Sequence, residues 1–269
     1  MIRTEAFFLS GDQGARFCVA HHPEGRPRAA VLLIQAFAEE ANKSRSNLAA
    51  VARACAEAGY LALIGDVGGT GDSEGDFADA RWADWVTDLK RFAAWLVERS
   101  DGPLALIGLR QGALLASSAL NEGLAADALL ALAPIASGKL ALTWFLRLAA
   151  AAELGENPGA RLDTRALRAS LDAGEPVEVA GYSLSAALAA ALEAATLELP
   201  DAIRLGWIEI GAAETLSAAA SRLLEKRAAR GCADFSRLLP GPAFWQTQEI
   251  EMLPALPALC VEFLGEALQ

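Results

Sequence analysis

Residues 104–112 read Leu-Ala-Leu-Ile-Gly-Leu-Arg-Gln-Gly, and Ala-Leu-Leu-Ala-Ser-Ser-Ala-Leu follows without a break. The first part fits a strand buried on both faces, and the second has the make-up of a buried helix. No residues remain between them for an ordinary loop. The chain must therefore turn from strand to helix within Gly108-Leu109-Arg110-Gln111-Gly112, with glycines placed where a side chain would obstruct so tight a turn. In a G-x-S-x-G turn of this kind the strained central residue is a serine that projects above the sheet as a nucleophile. Here it is Arg110, whose guanidinium stays protonated and has no lone pair with which to attack a carbonyl.

The same strand-to-helix step recurs on both sides of this turn. Residues 6–9 and 16–21 read as an edge hairpin. Residues 30–34 and 61–65 are continuous apolar strands, followed by helical spacing over 44–58 and 82–99, with a glycine-rich loop at 66–77. Residues 128–133 form a further strand. After it, residues 137–200 break the rhythm: they are helical, alanine-rich and interrupted at Gly155, Pro158 and Gly174. Strands at 203–210 and 232–238, helices at 216–230 and 249–268 and a loop at 241–248 complete the chain, although Pro254 and Pro257 fit poorly inside that last helix. This alternation predicts an α/β fold. Its central sheet is mostly parallel, has about eight strands and carries helices on both faces. Residues 1–136 and 201–269 would make the core and 137–200 a helical cap, with ligands bound at the carboxyl ends of the strands.

Composition narrows the function. A net charge of -11 over 269 residues, with 34 acids against 23 bases, argues against nucleic acid, which needs clustered Lys and Arg. Cys18, Cys55, Cys232 and Cys260 are far apart, without metal-ligand or disulfide-framework spacing, and read as thiols of a reducing compartment. An acid near the start and the lack of a long apolar run predict neither a secretion signal nor a membrane span, hence a cytoplasmic protein. No metal and no cofactor is expected.

Residues 35–45 (Gln-Ala-Phe-Ala-Glu-Glu-Ala-Asn-Lys-Ser-Arg), the loop 66–77, the turn 108–112, Glu178-Val179-Ala180-Gly181-Tyr182 and Gly241-Pro242-Ala243-Phe244-Trp245-Gln246 extend the pattern over nearly the whole chain. Together they closely resemble the second type of exosortase A system-associated hydrolase, a branch of the α/β-hydrolase superfamily. That branch occurs with exopolysaccharide production and PEP-CTERM protein-sorting genes in Gram-negative bacteria. The resemblance implies the α/β-hydrolase fold, partners among proteins of exopolysaccharide biosynthesis and, through the family name, hydrolysis.

A serine hydrolase of this fold needs a nucleophile at the turn, an acid after a later strand and a histidine near the C-terminus. The first position holds Arg110. For the second, the loop 211–215 offers Glu214, either as the acid or as part of the N-terminal turn of the next helix. In the histidine loop stands Trp245, and the two histidines of the chain, His21 and His22, fall at the wrong end of the sheet. Ser73 lies in a G-x-S-x-G string inside the glycine-rich loop, and Ser117 and Ser118 lie inside the helix after the turn. All three read as structural. Arg110 can hold an anion at the helix N-terminus or pair internally with Glu39, Glu40, Asp66 or Glu214. Internal pairing with Glu39 is preferred, and Trp245 is expected to wall the cavity above the pair. The predicted binding residues are Gln35, Phe37, Glu39, Glu40, Arg110, Gln111 and Trp245, for a small acyl or anionic ligand. The leading expectation is a binding or accessory protein without Ser-His-acid catalysis. The alternative is an esterase or thioesterase with a rearranged site.

Overall fold

A computed structural model describes residues 1–11, 13–156 and 164–268, with the backbone alone over 149–156. The apolar runs form the centre of an eight-stranded sheet, and every residue of four of its strands is buried: β3 (Ala29–Ile34), β4 (Tyr60–Gly65), β5 (Leu104–Leu109) and β6 (Ala128–Leu132). With β1 (Arg3–Leu9), β2 (Arg16–His22), β9 (Arg204–Ile210) and β10 (Phe235–Leu239), the order is β1-β2-β4-β3-β5-β6-β9-β10. Pairing is antiparallel only for β1 with β2 and β2 with β4. The other strands run parallel, as buried strands joined by crossover helices must. This is the α/β-hydrolase fold.

Helices cover both faces. On one face lie α2 (Trp82–Val97) and α3 (Gly112–Asn121), which bury Trp85, Leu89, Phe92, Leu114 and Ala116. On the other, α1 (Glu39–Glu57) and α8 (Leu256–Ala267) bury Leu48, Val51, Cys260 and Phe263. Two sequence expectations are corrected here. The first helix begins at Glu39, ahead of its predicted start at 44, because its opening turn holds two acids that favour a helix N-terminus. The last begins at Leu256 instead of 249, so Pro257 falls in the first turn, where its missing N–H has no helical partner to lose.

Between β6 and β9 the chain forms α4 (Gly138–Glu156), α5 (Thr164–Asp172), a hairpin of β7 (Val177–Val179) and β8 (Tyr182–Leu184), and α6 (Ala186–Ala194). The hairpin corrects the all-helical expectation for this stretch. The predicted break at Gly155 is also absent, since α4 continues through it, and Pro158 lies outside the described residues. The stretch leaves and re-enters the core at one point: Ser137 and Thr196 form an isolated bridge, and Gly138 N–H donates to the Ala195 carbonyl at 2.9 Å. Ser117 in α3 secures the return, its Oγ donating to the Glu198 carbonyl at 2.6 Å and accepting from Glu198 N–H at 3.1 Å. Phe145 of α4 packs on Phe37, ring centres 5.0 Å apart, which sets α4 over the carboxyl edge of the sheet.

Candidate functional site

At that edge the turn after β5 adopts the predicted geometry. Arg110 has φ 55, the left-handed conformation that costs a residue with a Cβ roughly 1–2 kcal/mol. The flanking glycines are required by packing: a Cβ on Gly108 would lie 2.6 Å from the Ala113 backbone, and one on Gly112 2.5 Å from the Gln35 carbonyl oxygen. Two more non-glycine residues in this conformation border the site, Ala38 (φ 50) before α1 and Ala133 (φ 40) after β6. Strained backbone is thus gathered at the ends of β3, β5 and β6, the pattern of a site whose geometry the surrounding fold enforces.

The side chain of Arg110 fills the space above the turn. Its Nε donates to Glu40 Oε2 at 3.2 Å, its Nη2 to Glu40 Oε1 at 3.3 Å, and its Nη1 to the Ala133 carbonyl at 3.0 Å. The guanidinium carbon lies 4.7 Å from the centre of the Trp245 ring and 5.3 Å from that of Trp144, so the cation is held between two indoles. Arg110 and Glu40 are 5% and 8% exposed. The partner is therefore Glu40, not the preferred Glu39. Because residues 39 and 40 lie in the first turn of α1, they point about 100° apart, and only one can face inward. Glu39 instead faces Lys43, 3.7 Å away.

The remaining sequence candidates separate. Glu214 is exposed in the loop before α7 (Ala218–Ala228) and takes no part in this cluster. The carboxylate near the end of β9 is Glu209, which accepts from Trp207 Nε1 at 3.1 Å and from Ser217 N–H at 2.9 Å. His21 is level with Ala62, Val31 and Ala105 on successive strands, three strands from β5 and about five residues short of Arg110. Those steps are on the order of 14 Å across the sheet and 16 Å along it, beyond any proton transfer. Ser73 accepts from Phe17 N–H and donates to the Asp66 carbonyl, and Ser118 accepts from Trp82 Nε1, so both hydroxyls serve structure. Asp66 receives Gln35 Nε2, Arg45 Nη2 and Asp72 N–H. Among the described residues no group of three or more His, Cys, Asp or Glu could hold a metal.

Arg110, Trp144 and Trp245 stand between two open clefts. One, of about 620 Å³, is lined by Glu39, Lys43, Arg147 and Gln246. The other, of about 290 Å³, is lined by Ile135, Leu140, Trp207 and Glu209. Gln35 and Phe37 line a third, more enclosed cavity behind the 35–38 loop, which Gln111 also borders. Sequence reasoning missed Trp144, which the inserted stretch supplies from far along the chain, and Gln246, whose Nε2 lies 3.4 Å from Glu40 Oε1. A polar residue beside Trp245 in the histidine loop was the available signal for the latter.

Residues 25–171, which include the glycine-rich loop and the turn at Arg110, match the serine aminopeptidase, S33 family. The chain belongs to that family. Among solved structures this S33 chain is similar to Est1E from Butyrivibrio proteoclasticus with ferulic acid bound, at 18% identity and a TM-score of 0.65 over 97% of this chain and 99% of that one. It is also similar to a thermostable carboxyl esterase from Bacillus coagulans, in complex with glycerol, at 14% identity and a TM-score of 0.63 over 100% and 99% of the two chains. A thioesterase domain from the curacin biosynthetic pathway aligns at 14% identity and a TM-score of 0.55 over 96% and 99%. Among curated proteins no sequence matches this chain. The S33 family is named for a serine, and at the strand-to-helix turn this member carries Arg110. No helix among the described residues is long and apolar enough to cross a membrane.

Proposed function

We propose that this chain binds a small acyl or anionic ligand in the Arg110 clefts without hydrolysing it, as a cytoplasmic accessory protein of an exosortase-linked exopolysaccharide system. One observation carries the first part: the residue held in the strained turn is a guanidinium paired with Glu40 and flanked by two indoles. Acyl transfer needs a nucleophile at that turn and a base beside it, and neither role can be filled by Arg110, Trp144 or Trp245.

The ligand class follows from the groups left over. Of the five N–H donors of a guanidinium, three are engaged by Glu40 and Ala133, and the buried Trp245 Nε1 has no acceptor. Spare donors beside apolar walls suit a carbonyl or carboxylate oxygen on an apolar body. Ferulic acid in Est1E is a ligand of that kind on the same fold and supports this reading. The exosortase setting rests on the resemblance of residues 35–45, 108–112 and 241–246, and the gene's position beside exosortase genes tests it.

A second reading is hydrolysis of a small acyl ester or thioester through a rearranged site, and the esterases and the thioesterase among the similar structures favour it. A screen of acyl esters and thioesters on purified protein, with Arg110→Ala as control, separates the two. Binding without hydrolysis predicts no turnover and no stoichiometric fluorophosphonate labelling. Turnover that survives repurification, or labelling mapped to Ser73, Ser117 or Ser118, would establish the hydrolase.

A further inference from the structure

The cavity behind the 35–38 loop is separate from the Arg110 clefts and has its own chemistry. Its floor is apolar, formed by Leu32, Trp82, Trp85, Leu89, Phe92 and Leu115, and its rim carries Asn42, Arg45 and Tyr182. Two glutamines border it, Gln35 and Gln111, and the side-chain oxygens of both are buried without a hydrogen-bond partner. The orientation of Gln35 is settled by its neighbour: Nε2 donates to the buried Asp66 carboxylate at 2.5 Å, so Oε1 is the free acceptor. Gln111 is only 6% exposed. A buried amide oxygen without a donor is costly, and two such oxygens at one cavity point to a polar group that meets these side chains.

We propose that this cavity binds the hydroxyl end of a short aliphatic compound. The hydroxyl donates to Gln35 Oε1, and its oxygen accepts from Nε2 of the Gln111 amide, which no hydrogen bond fixes and which turns to face it, while the alkyl part lies against Leu89, Phe92 and Leu115. A carboxylate is disfavoured because the fixed group is an acceptor, and an ammonium because the walls are apolar and Arg45 stands at the rim. The volume is about 70 Å³, against about 150 Å³ for an apolar cavity that takes benzene, so the enclosed part holds roughly three non-hydrogen atoms. Longer ligands leave past Asn42 and Tyr182.

The test is a titration with 1-propanol followed by NMR at the indole N–H signals of Trp82 and Trp85, with acetone, an acceptor of similar size that cannot donate, in parallel. The expected result is saturable shifts with 1-propanol and about tenfold weaker binding of acetone, as for loss of one hydrogen bond to a stranded acceptor. Gln111→Leu should weaken 1-propanol by a similar factor, and Leu115→Phe should abolish saturation by filling the floor. Non-saturating shifts, equal affinity for acetone, or unchanged binding in both variants would overturn the proposal. The acetone comparison needs no variant, so a substitution that fails to fold leaves the test intact. None of these outcomes depends on the ligand of the Arg110 clefts.

Discussion

Replacing Arg110 by alanine removes the cation from a pair that is almost wholly enclosed. Stranding a buried carboxylate costs about 3 to 5 kcal/mol. The Ala133 carbonyl loses a charged donor as well, worth about 1.5 kcal/mol or more. Two features of the structure soften the loss. Glu40 lies in the first turn of α1, where the helix dipole favours an anion by roughly 0.3–1 kcal/mol, and it borders an open cleft from which water can reach it. Backbone strain at position 110 is unchanged, since alanine also carries a Cβ. The expected destabilisation is therefore about 3 to 4 kcal/mol. For a domain near this size that lowers the melting temperature by about 6 to 15 °C, measurable by calorimetry. The cycle of Arg110→Ala, Glu40→Ala and the double variant should show a coupling of at least about 2 kcal/mol, because removing both charges strands neither. An unchanged melting temperature for Arg110→Ala, or strictly additive effects in the cycle, would refute the reasoning.

Ser117→Ala should destabilise the fold by about 1 to 3 kcal/mol in denaturant unfolding, since the lost hydroxyl bonds both the N–H and the carbonyl of Glu198 where the inserted stretch rejoins the core. Burial, aided by the charges of Arg53 and His22, holds the His21 imidazole below its ordinary value of 6.5. The unfolded chain then takes up a proton that the folded one refuses, so this contribution is complete above pH 6.5 and is lost as the pH falls below it. His21→Gln should flatten that part of the stability profile, and an unaltered slope would count against it. Burial pushes the Cys18 and Cys55 thiols up to about 12 and that of Cys260 well above its ordinary value, whereas Cys232 is partly exposed. Iodoacetamide at about pH 8 should therefore modify the folded protein at Cys232 alone, as read by mass spectrometry.

Periodicity and glycine placement were enough to determine the sheet, its crossover helices and the turn at Arg110. These are consequences of short-range geometry and of burial on both faces of a strand, and both leave a mark on neighbouring residues. The three-residue strands of the β7–β8 hairpin left too short a pattern to read, and the acids of the first α1 turn resembled a loop until the helix formed around them. The absence of a serine at the turn and of a histidine in the 241–247 loop was likewise a property of the sequence alone. What Arg110 does instead was decided by the tertiary structure. Whether Glu39 or Glu40 meets it depends on the rotational phase of α1. Trp144 reaches it only because the inserted stretch folds back over the sheet, and Gln35 parts from Glu40 because it lines the cavity behind the 35–38 loop instead of the Arg110 clefts. Such contacts join residues far apart in the chain through helix phase and packing, for which no local pattern of side chains encodes a sign.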